Sequence, residues 1–252
     1  MYTEYTNYIK SILHLDVSQM SFKSNNNYRG ILEHVTQSQG DEYLYYILNR
    51  FSLFFNEHKN FLIELCNEND LYGMTDKVQF NNFTTCSPTN LRYLLHSLLI
   101  LSYMNSCMLN KVDIIELGGG YGALCFFIQK LSPFFNITIN TYTIFDLYEP
   151  LQLQKKYLEK LNIMNVQFFE LNNFYNLQSN SFLISNYCFS EISLELQKEY
   201  TNKVLNPYVS HGFLTWNFIQ LYKFIDDKDI TSEFEFPQTG GNNLYVRIKP
   251  SL

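Results

Sequence analysis

The stretch that decides the fold is Val112 to Leu124, read as Val-Asp-Ile-Ile-Glu-Leu-Gly-Gly-Gly-Tyr-Gly-Ala-Leu. It opens on an apolar run, Val112 to Leu117, and then meets Gly118, Gly119, Gly120 and Gly122. From Tyr121 to Leu131 the residues Leu124, Phe127, Ile128 and Leu131 recur at helical spacing. The order predicts a strand, a tight turn and a helix. Glycine has no Cβ and tolerates positive φ, so such a turn can bring backbone N–H groups and a helix N-terminus close to a ligand. A ligand is therefore expected at Gly118 to Gly122; the alternative is a turn whose glycines serve only close packing of helix on strand.

The turn meets the nicotinamide fingerprint Gly-x-Gly-x-x-Gly only with Ala123 in the last place. Two acidic residues pull it elsewhere. Glu116 stands two residues before the first glycine, and Asp146 ends the next apolar strand, Ile137 to Phe145. Glu-x-Gly-x-Gly-x-Gly with an acidic residue at the second strand end resembles the S-adenosylmethionine site of class I methyltransferases. The resemblance implies that Gly118, Gly119, Gly120, Tyr121 and Gly122 bring backbone against the methionine part of the cofactor, with Glu116 on the amine side. It implies that Asp146, followed by Leu147, accepts from both ribose hydroxyls, a task for which a carboxylate is chemically suited. It places Asn172 to Phe174, and so Asn173 and Phe174, beside the adenine.

Downstream the pattern alternates. Glu149 to Leu161 reads as a helix, Val166 to Glu170 and Ser181 to Ser185 as strands, Ser190 to Leu205 as a helix ending before Pro207, and Gly212 to Ile219 as a fifth strand. Alternation of β and α implies a parallel sheet with right-handed crossovers. The tail departs from it: Glu233 to Phe236, a Pro-Gln-Thr-Gly-Gly-Asn turn, and Asn243 to Ile248 read as a hairpin. An antiparallel hairpin closing an otherwise parallel sheet separates class I methyltransferases from nicotinamide folds. The expected fold class is α/β, a Rossmann-like class I methyltransferase sheet, mostly parallel with a C-terminal antiparallel hairpin, carrying an N-terminal helical lid.

That lid is read over residues 1–110, before a cofactor-binding domain over 111–252. Gln39 to His58 carries Leu44, Ile47, Leu48, Phe51, Phe54 and Phe55 on one broad face. Asn25 to Gly40 is polar with Tyr28, Ile31, Leu32 and Val35 as anchors, and Asn67 to Thr85 reads as a loop. Ser87-Pro88 opens a further helix, Ser as cap and Pro at the first helical position, running through Leu91, Leu94, Leu95, Leu98 and Leu99.

The formal charge of −6 and the lack of a dense Lys/Arg block argue against a nucleic-acid substrate, whose binding needs phosphate neutralisation. Cys66, Cys86, Cys107, Cys125 and Cys188 are odd in number and widely spaced, which suggests neither a disulfide framework nor a zinc site. Met1 to Lys10 has no signal-peptide core, and the apolar stretch Leu91 to Met104 contains Arg92 and His96. At that length it reads as a buried helix. The expected compartment is cytoplasmic, in the host if the source is viral, with no membrane partner. Abundant Asn, Tyr, Ile and Phe beside a single alanine, Ala123, point to an AT-rich genome.

Further stretches resemble the narrower sugar O-methyltransferase family: Ile31-Leu32-Glu33-His34-Val35 with Gln39-Gly40 and Tyr43-Leu44; Ser87-Pro88-Thr89-Asn90-Leu91-Arg92-Tyr93; Ile144-Phe145-Asp146-Leu147 before Tyr157-Leu158; Ser185-Asn186 with Phe189-Ser190-Glu191. This likeness implies S-adenosylmethionine as cofactor and a hydroxyl of a sugar, sugar nucleotide or glycan as acceptor, in glycan biosynthesis, with Arg92 reaching the cofactor carboxylate. At the fourth strand end, Asn186-Tyr187-Cys188-Phe189 lacks the Pro-Pro-Tyr signature of amine methylation on bases. A sugar hydroxyl needs positioning and a base. Glu191 is the first candidate, with Asn186 and Ser190 orienting, although Ser190 as a cap and Glu191 favouring the dipole would explain the same residues. His34 is the second. No ligand cluster suggests a metal. Methylation of another small hydroxylated metabolite, or an inactive partner subunit of the same fold, stay as alternatives, and a homo-oligomer is left open.

Overall fold

The computed structural model describes residues 2–251; Met1 and Leu252, the outer ends of the two expected domains, lie outside them. The chain forms two compact units, one of Met1–Leu101, Gly120–Leu131 and Gln152–Met164, the other of Ser102–Gly119, Ser132–Leu151 and Asn165–Leu252.

The first unit is helical. Its helices are α1 (Tyr2–Ile12), α2 (Asn26–Leu32), α3 (Gln37–Arg50), α4 (Ser52–Asn69), α5 (Pro88–Ser106, as far as Leu101), α6 (Ala123–Leu131) and α7 (Tyr148–Lys160, from Gln152). The tyrosine-rich start forms an amphipathic helix that buries Tyr5, Ile9 and Ile12 at intervals of four and three. Where the apolar periodicity predicts one helix over Gln39 to His58, there are two. Phe51 (φ −124°, ψ 30°) closes α3 through its N–H to Ile47 O, and α4 starts afresh and runs to Asn69, shortening the expected loop. A one-residue break leaves the apolar spacing almost unchanged, so periodicity does not reveal it. A capping box starts α3: Thr36 Oγ1 accepts from Gln39 N (3.2 Å) and Gln39 Oε1 from Thr36 N (2.9 Å). As predicted, Pro88 begins α5, with Ser87 Oγ accepting from Thr89 N at 3.2 Å. No helix among the described residues is long and apolar enough to cross a membrane.

The second unit holds seven strands: β1 (Lys111–Leu117), β2 (Thr138–Phe145), β3 (Val166–Phe169), β4 (Ser181–Asn186), β5 (Val209–Trp216), β6 (Lys228–Phe234) and β7 (Leu244–Pro250). They lie in the order β3-β2-β1-β4-β5-β7-β6. All pairs are parallel except β5 with β7 and β7 with β6. The expected hairpin is therefore present, with β7 inserted antiparallel between β5 and β6. The sheet is thus the expected one, mostly parallel and Rossmann-like with a C-terminal antiparallel hairpin. Ile115, Leu117, Phe145, Leu183, Leu214, Val246 and Ile248 form one apolar layer with Val204, Leu205 and Trp216.

The helix predicted from Ser190 to Leu205 is interrupted. A single turn, Cys188–Glu191, ends at extended Ile192 (φ −76°, ψ 161°), and Ser193, not Ser190, caps α8 (Leu194–Tyr200) by accepting from Leu196 N at 3.2 Å. Two capping serines three residues apart compete, and the second has the open N–H groups of a full helix to satisfy. A wide turn, Thr201–Leu205, carries the chain on, so Pro207 sits at the start of the last helical turn, Asn206–Tyr208, where it needs no N–H.

Two helical glycines give a stability test. A Cβ at Gly30 in α2 would meet nothing within 4 Å, whereas at Gly40 in α3 it would fall 2.6 Å from Cζ of the buried Phe80 and 3.3 Å from Pro88 Cβ. Gly30→Ala is expected to stabilise by up to about 1 kcal/mol through helix propensity. Gly40→Ala should destabilise by about 1–3 kcal/mol through overpacking. Urea unfolding of the two variants should therefore move in opposite directions.

Candidate functional site

At the carboxyl end of β1, Gly118 N still donates to Phe145 O at 2.9 Å, and then the chain turns through positive φ at Gly118 (76°), Gly120 (59°) and Gly122 (98°). A side chain would be strained at each. The glycines also have packing reasons. In the sheet unit a Cβ at Gly118 would collide with Cβ and Sγ of Cys188; in the helical unit one at Gly122 would fall 3.0 Å from Leu158 Cγ, and one at Gly120 3.3 Å from Leu32 Cδ2. The glycine turn by itself thus has a complete explanation in packing, and any sign of a ligand must come from beside it.

It comes from Asp146. This residue follows β2, and its carboxylate is tied to two backbone groups, Oδ2 accepting from Gly119 N (3.1 Å) and Oδ1 from Leu147 N (2.8 Å). The side chain is half-buried, and the Leu147 side chain next to it is 48% exposed. A carboxylate offers about four acceptor positions, so one backbone N–H on each oxygen fixes its plane and is compatible with accepting from a vicinal diol as well. Phe174, after β3, packs edge-on against Phe145 at 5.4 Å, and Asn173 N donates to Glu170 O at 2.9 Å in the same loop.

Glu116 behaves differently from a surface anion. It is 2% exposed and Oε2 accepts from Tyr142 OH at 2.9 Å. Burial pushes its pKa up to about 8 against the lowering effect of the Tyr142 bond, and the Asp146 charge raises it further. Glu116 is accordingly a protonated carboxyl at neutral pH. It is enclosed in the sheet, with the Tyr142 hydroxyl as its hydrogen-bond partner.

At the end of β4 a polar cluster has formed. Asn186 Oδ1 accepts from Thr215 Oγ1 (3.0 Å), and Tyr187 takes a left-handed conformation (φ 67°), which is strained for an aromatic residue. Ser190 Oγ donates to Asn217 Oδ1 (2.5 Å), while Asn217 Nδ2 donates to Glu191 Oε1 (2.6 Å). The exposed Glu191 carboxylate is thereby held by two residues in series. The Tyr187 hydroxyl donates to the fully buried Glu235, which also accepts from Thr239 N (3.0 Å) and Asn243 Nδ2 (3.0 Å). Burial, then the Asp146, Glu191 and Glu116 charges, push the Cys188 thiol far up, so it is not a nucleophile. Asn217 and Glu235 escaped the sequence reading. Asn217 had a signal, since it follows β5 directly and ligands gather at carboxyl strand ends; Glu235 had none.

The structure thus gathers Glu116, Gly118, Gly119, Asp146, Leu147, Asn173, Phe174, Asn186 and Glu191 within the sheet unit, while Gly120, Tyr121, Gly122, His34 and Arg92 belong to the helical one. Tyr121 is fully buried there, its ring 5.1 Å from that of Tyr157, its hydroxyl accepting from Asn69 Nδ2 at 3.2 Å, so it offers a ligand only backbone. Arg92 is 6% exposed and donates from Nη2 to Leu32 O at 2.8 Å. His34 is exposed; partial burial of its ring and the Arg92 guanidinium bring its pKa down to about 4, which leaves it neutral and weakly basic.

No family model and no curated protein sequence matches the chain. Solved structures do resemble it. TrmK of M. capricolum, in complex with the cofactor product S-adenosylhomocysteine, is 13% identical over 60% of this chain and 67% of that one, with a TM-score of 0.41. A SAM-dependent methyltransferase from Aquifex aeolicus is 14% identical over 59% and 88% of the two chains, at 0.41. A mutant of MtNAS is 14% identical over 100% and 99%, at 0.42. At such values the acceptors of those proteins say nothing about the acceptor of this one, and the likeness to sugar O-methyltransferases is carried by its short motifs alone.

The protonation of Glu116 predicts a pH effect. Its pKa lies near 8 in the folded protein against 4.5 for an unperturbed carboxyl, so between those values the native state keeps a proton that the unfolded chain has released. Stability from this group is full below pH 4.5 and is lost as pH rises toward 8. Glu116→Gln, which keeps the Tyr142 bond, should raise the melting temperature at pH 8 relative to the wild type, by an amount worth a few kcal/mol. The difference should vanish near pH 4.5, as thermal melts at both pH values would read.

Proposed function

We propose that this protein is an S-adenosylmethionine-dependent O-methyltransferase whose acceptor is a hydroxyl of a sugar, sugar nucleotide or glycan. The observation that carries the cofactor half is Asp146. Its carboxylate, at the end of the second strand, accepts from Gly119 N and Leu147 N, one on each oxygen, and we assign to it the ribose diol. Leu147 supplies exposed apolar surface for the adenine, with Asn173 and Phe174 in the neighbouring loop. The glycine turn brings backbone to the methionine part. Glu116 contributes as a neutral, buried clamp on β1 and β2, not as the amine's counter-ion.

The acceptor half rests on the Ser185-Asn186 and Phe189-Ser190-Glu191 motif, on the absence of a Pro-Pro-Tyr sequence there, and on the acidic balance of the chain. When bound, the cofactor would supply an electrophilic methyl group on its sulfonium sulfur for the acceptor oxygen, with S-adenosylhomocysteine as the leaving product. Glu191 takes the hydroxyl proton. Asn217 holds Glu191 Oε1 and Ser190 holds Asn217, so the base is oriented before the acceptor arrives. Neutral His34 is the second candidate for this step.

Calorimetric titration with S-adenosylmethionine, S-adenosylhomocysteine and NAD tests the cofactor half. Micromolar binding of the sulfur cofactors that weakens roughly tenfold to a hundredfold in Asp146→Ala is expected, the size of a lost hydrogen bond to a charged group. Absence of that binding, or preference for NAD, would sink the reading. With a sugar-nucleotide acceptor found by screening, Glu191→Gln should lower kcat by about 10²–10⁴-fold with cofactor affinity unchanged. A variant of full activity would remove Glu191 from the mechanism.

A further inference from the structure

Among the described residues most positive φ values outside glycine belong to Asn and Asp, which tolerate them, but two belong to aromatic residues, Tyr187 (67°) and Phe218 (59°). They lie at corresponding places in the sheet unit. Asn186 pairs with Thr215 in the parallel ladder of β4 and β5, so Tyr187 follows the end of one strand and Phe218 comes just after the end of its neighbour. The Ser190-Asn217-Glu191 series is built from residues that follow the same two strand ends. Strain of this kind persists only where the surroundings over-determine it, and it gathers at functional sites.

The surroundings of Phe218 do over-determine it. Ile219 N donates to Asn217 O at 2.7 Å, which closes a three-residue turn with Phe218 at its centre, in the positive-φ hand that is the rarer and more strained. The turn is tied down on both sides: Asn217 N donates to Ser190 Oγ at 3.0 Å, and the indole Nε1 of buried Trp216 donates to Ile219 O at 2.8 Å. The Phe218 side chain gains no burial from this, because it is 85% exposed. A single exposed phenylalanine needs no explanation. One that is strained, anchored through both neighbours and still offered to solvent does, since glycine in its place would relieve the strain and leave no apolar surface in water.

Its position says what the ring is for. Asn217, the residue before it, holds Glu191 Oε1 through Nδ2 at 2.6 Å, so the ring and the proposed base are served by adjacent residues of one fixed turn. The face of an aromatic ring is negative and packs on polarised C–H groups, which a pyranose presents on its faces while its hydroxyls point outward from the rim. An aromatic ring held in place grips such a face by area and leaves the hydroxyls to meet the base. We infer that Phe218 is the platform on which the acceptor's sugar ring packs, and so a residue that sets acceptor affinity. The inference rests on the sugar-methyltransferase reading above. A platform touches ground state and transition state alike, so its loss raises the KM for the acceptor and leaves kcat in place.

The test is methyl-transfer kinetics on the full chain at saturating S-adenosylmethionine, with UDP-glucose, UDP-galactose, GDP-mannose and methyl glycosides of the common hexoses as acceptors, in wild type, Phe218→Gly, Phe218→Leu and Phe218→Tyr. Phe218→Gly removes strain with little packing to lose, so its melting temperature should match or exceed that of the wild type. The expected result is an acceptor KM raised about tenfold or more in Phe218→Gly and Phe218→Leu and restored in Phe218→Tyr, with kcat within about threefold and the KM for S-adenosylmethionine unchanged. Turnover of a sugar with a KM indifferent to Phe218→Gly, or a loss that falls on kcat or on S-adenosylmethionine instead, would overturn the inference and leave the reading of the function standing. Inhibition by UDP or GDP that weakens in Phe218→Gly as much as the KM rises would overturn it too, because the base and not the sugar would then stack on the ring. No turnover of any sugar in the panel would sink the acceptor half of that reading and the inference with it.

Discussion

Burial of β1 on both faces is the constraint from which the site follows. Val112, Ile114 and Glu116 are enclosed on one side and Ile115 and Leu117 on the other, and β2 and β4 take up its two edges. A strand so placed cannot drift in register, because a one-residue slip would exchange its two buried faces. The pairings then decide what meets at its end. Leu117 opposite Phe145 makes Gly118 and Asp146 the residues that emerge together, and Glu116 opposite Ile184 sets Asn186 level with Gly118. Asn186 opposite Thr215 carries the same level across to β5, whose next residue but one is Asn217. Four chain segments far apart in sequence deliver their polar residues to one edge of the sheet because of hydrogen-bond register.

Within that edge the two carboxyl groups nearest β1 have been given different work by their surroundings. Glu116 lies inside the sheet, where burial keeps it protonated and the Tyr142 hydroxyl is its partner. Asp146 lies past the strand end, where backbone N–H groups hold its carboxylate. Had both been ionised and buried, each would have raised the other's cost. Separating them by a single step along the sheet lets one act as a hydrogen-bonded strut and the other as an acceptor. The acidic residue before the glycine turn is therefore buried and bonded to Tyr142, a state that its position in the sequence does not announce.

Much of the fold was legible because it rests on patterns local to the chain. The apolar run before Gly118, the alternation of strands and helices, and the Pro-Gln-Thr-Gly-Gly-Asn turn before Asn243 each carry their own signal, and the antiparallel insertion of β7 follows from the last. The breaks at Phe51 and Ile192 were not legible, since they are settled by caps and N–H partners a residue or two away while the apolar spacing runs through them. The site divides in the same way. Asp146 could be read because a strand end announces it. The buried state of Glu116, the seating of Arg92 on Leu32 O and the Ser190-Asn217-Glu191 series depend on which segments the tertiary fold brings together, and single-sequence periodicity contains none of that. In the helical unit Glu33 and His34 are neighbours in sequence, and only burial, which the sequence pattern does not contain, distinguishes them.

That burial has a wider consequence in the helical unit. Lys23, Glu33 and Asp70 are all nearly enclosed, and for each of them desolvation outweighs the attraction of the others: the Lys23 pKa falls to about 8 while those of Glu33 and Asp70 rise. Lys23 compensates in part by donating to Asn69 O and by lying 4.6 Å from the centre of the Tyr121 ring. Asp70 accepts from Ser87 N at 2.8 Å, and the same serine's hydroxyl serves Glu33. A core of the same size filled with apolar side chains would be as stable or more so by about 1–4 kcal/mol, judging from replacements of buried ion groups elsewhere. A fold that already has Tyr28, Tyr121, Tyr157 and Phe22 in contact gains no packing from the charges it keeps beside them. Charged side chains kept beside a packed aromatic cluster therefore depart from the rule that a core is apolar, and they are held there by one another and by Asn69 O, Ser87 N and the Ser87 hydroxyl.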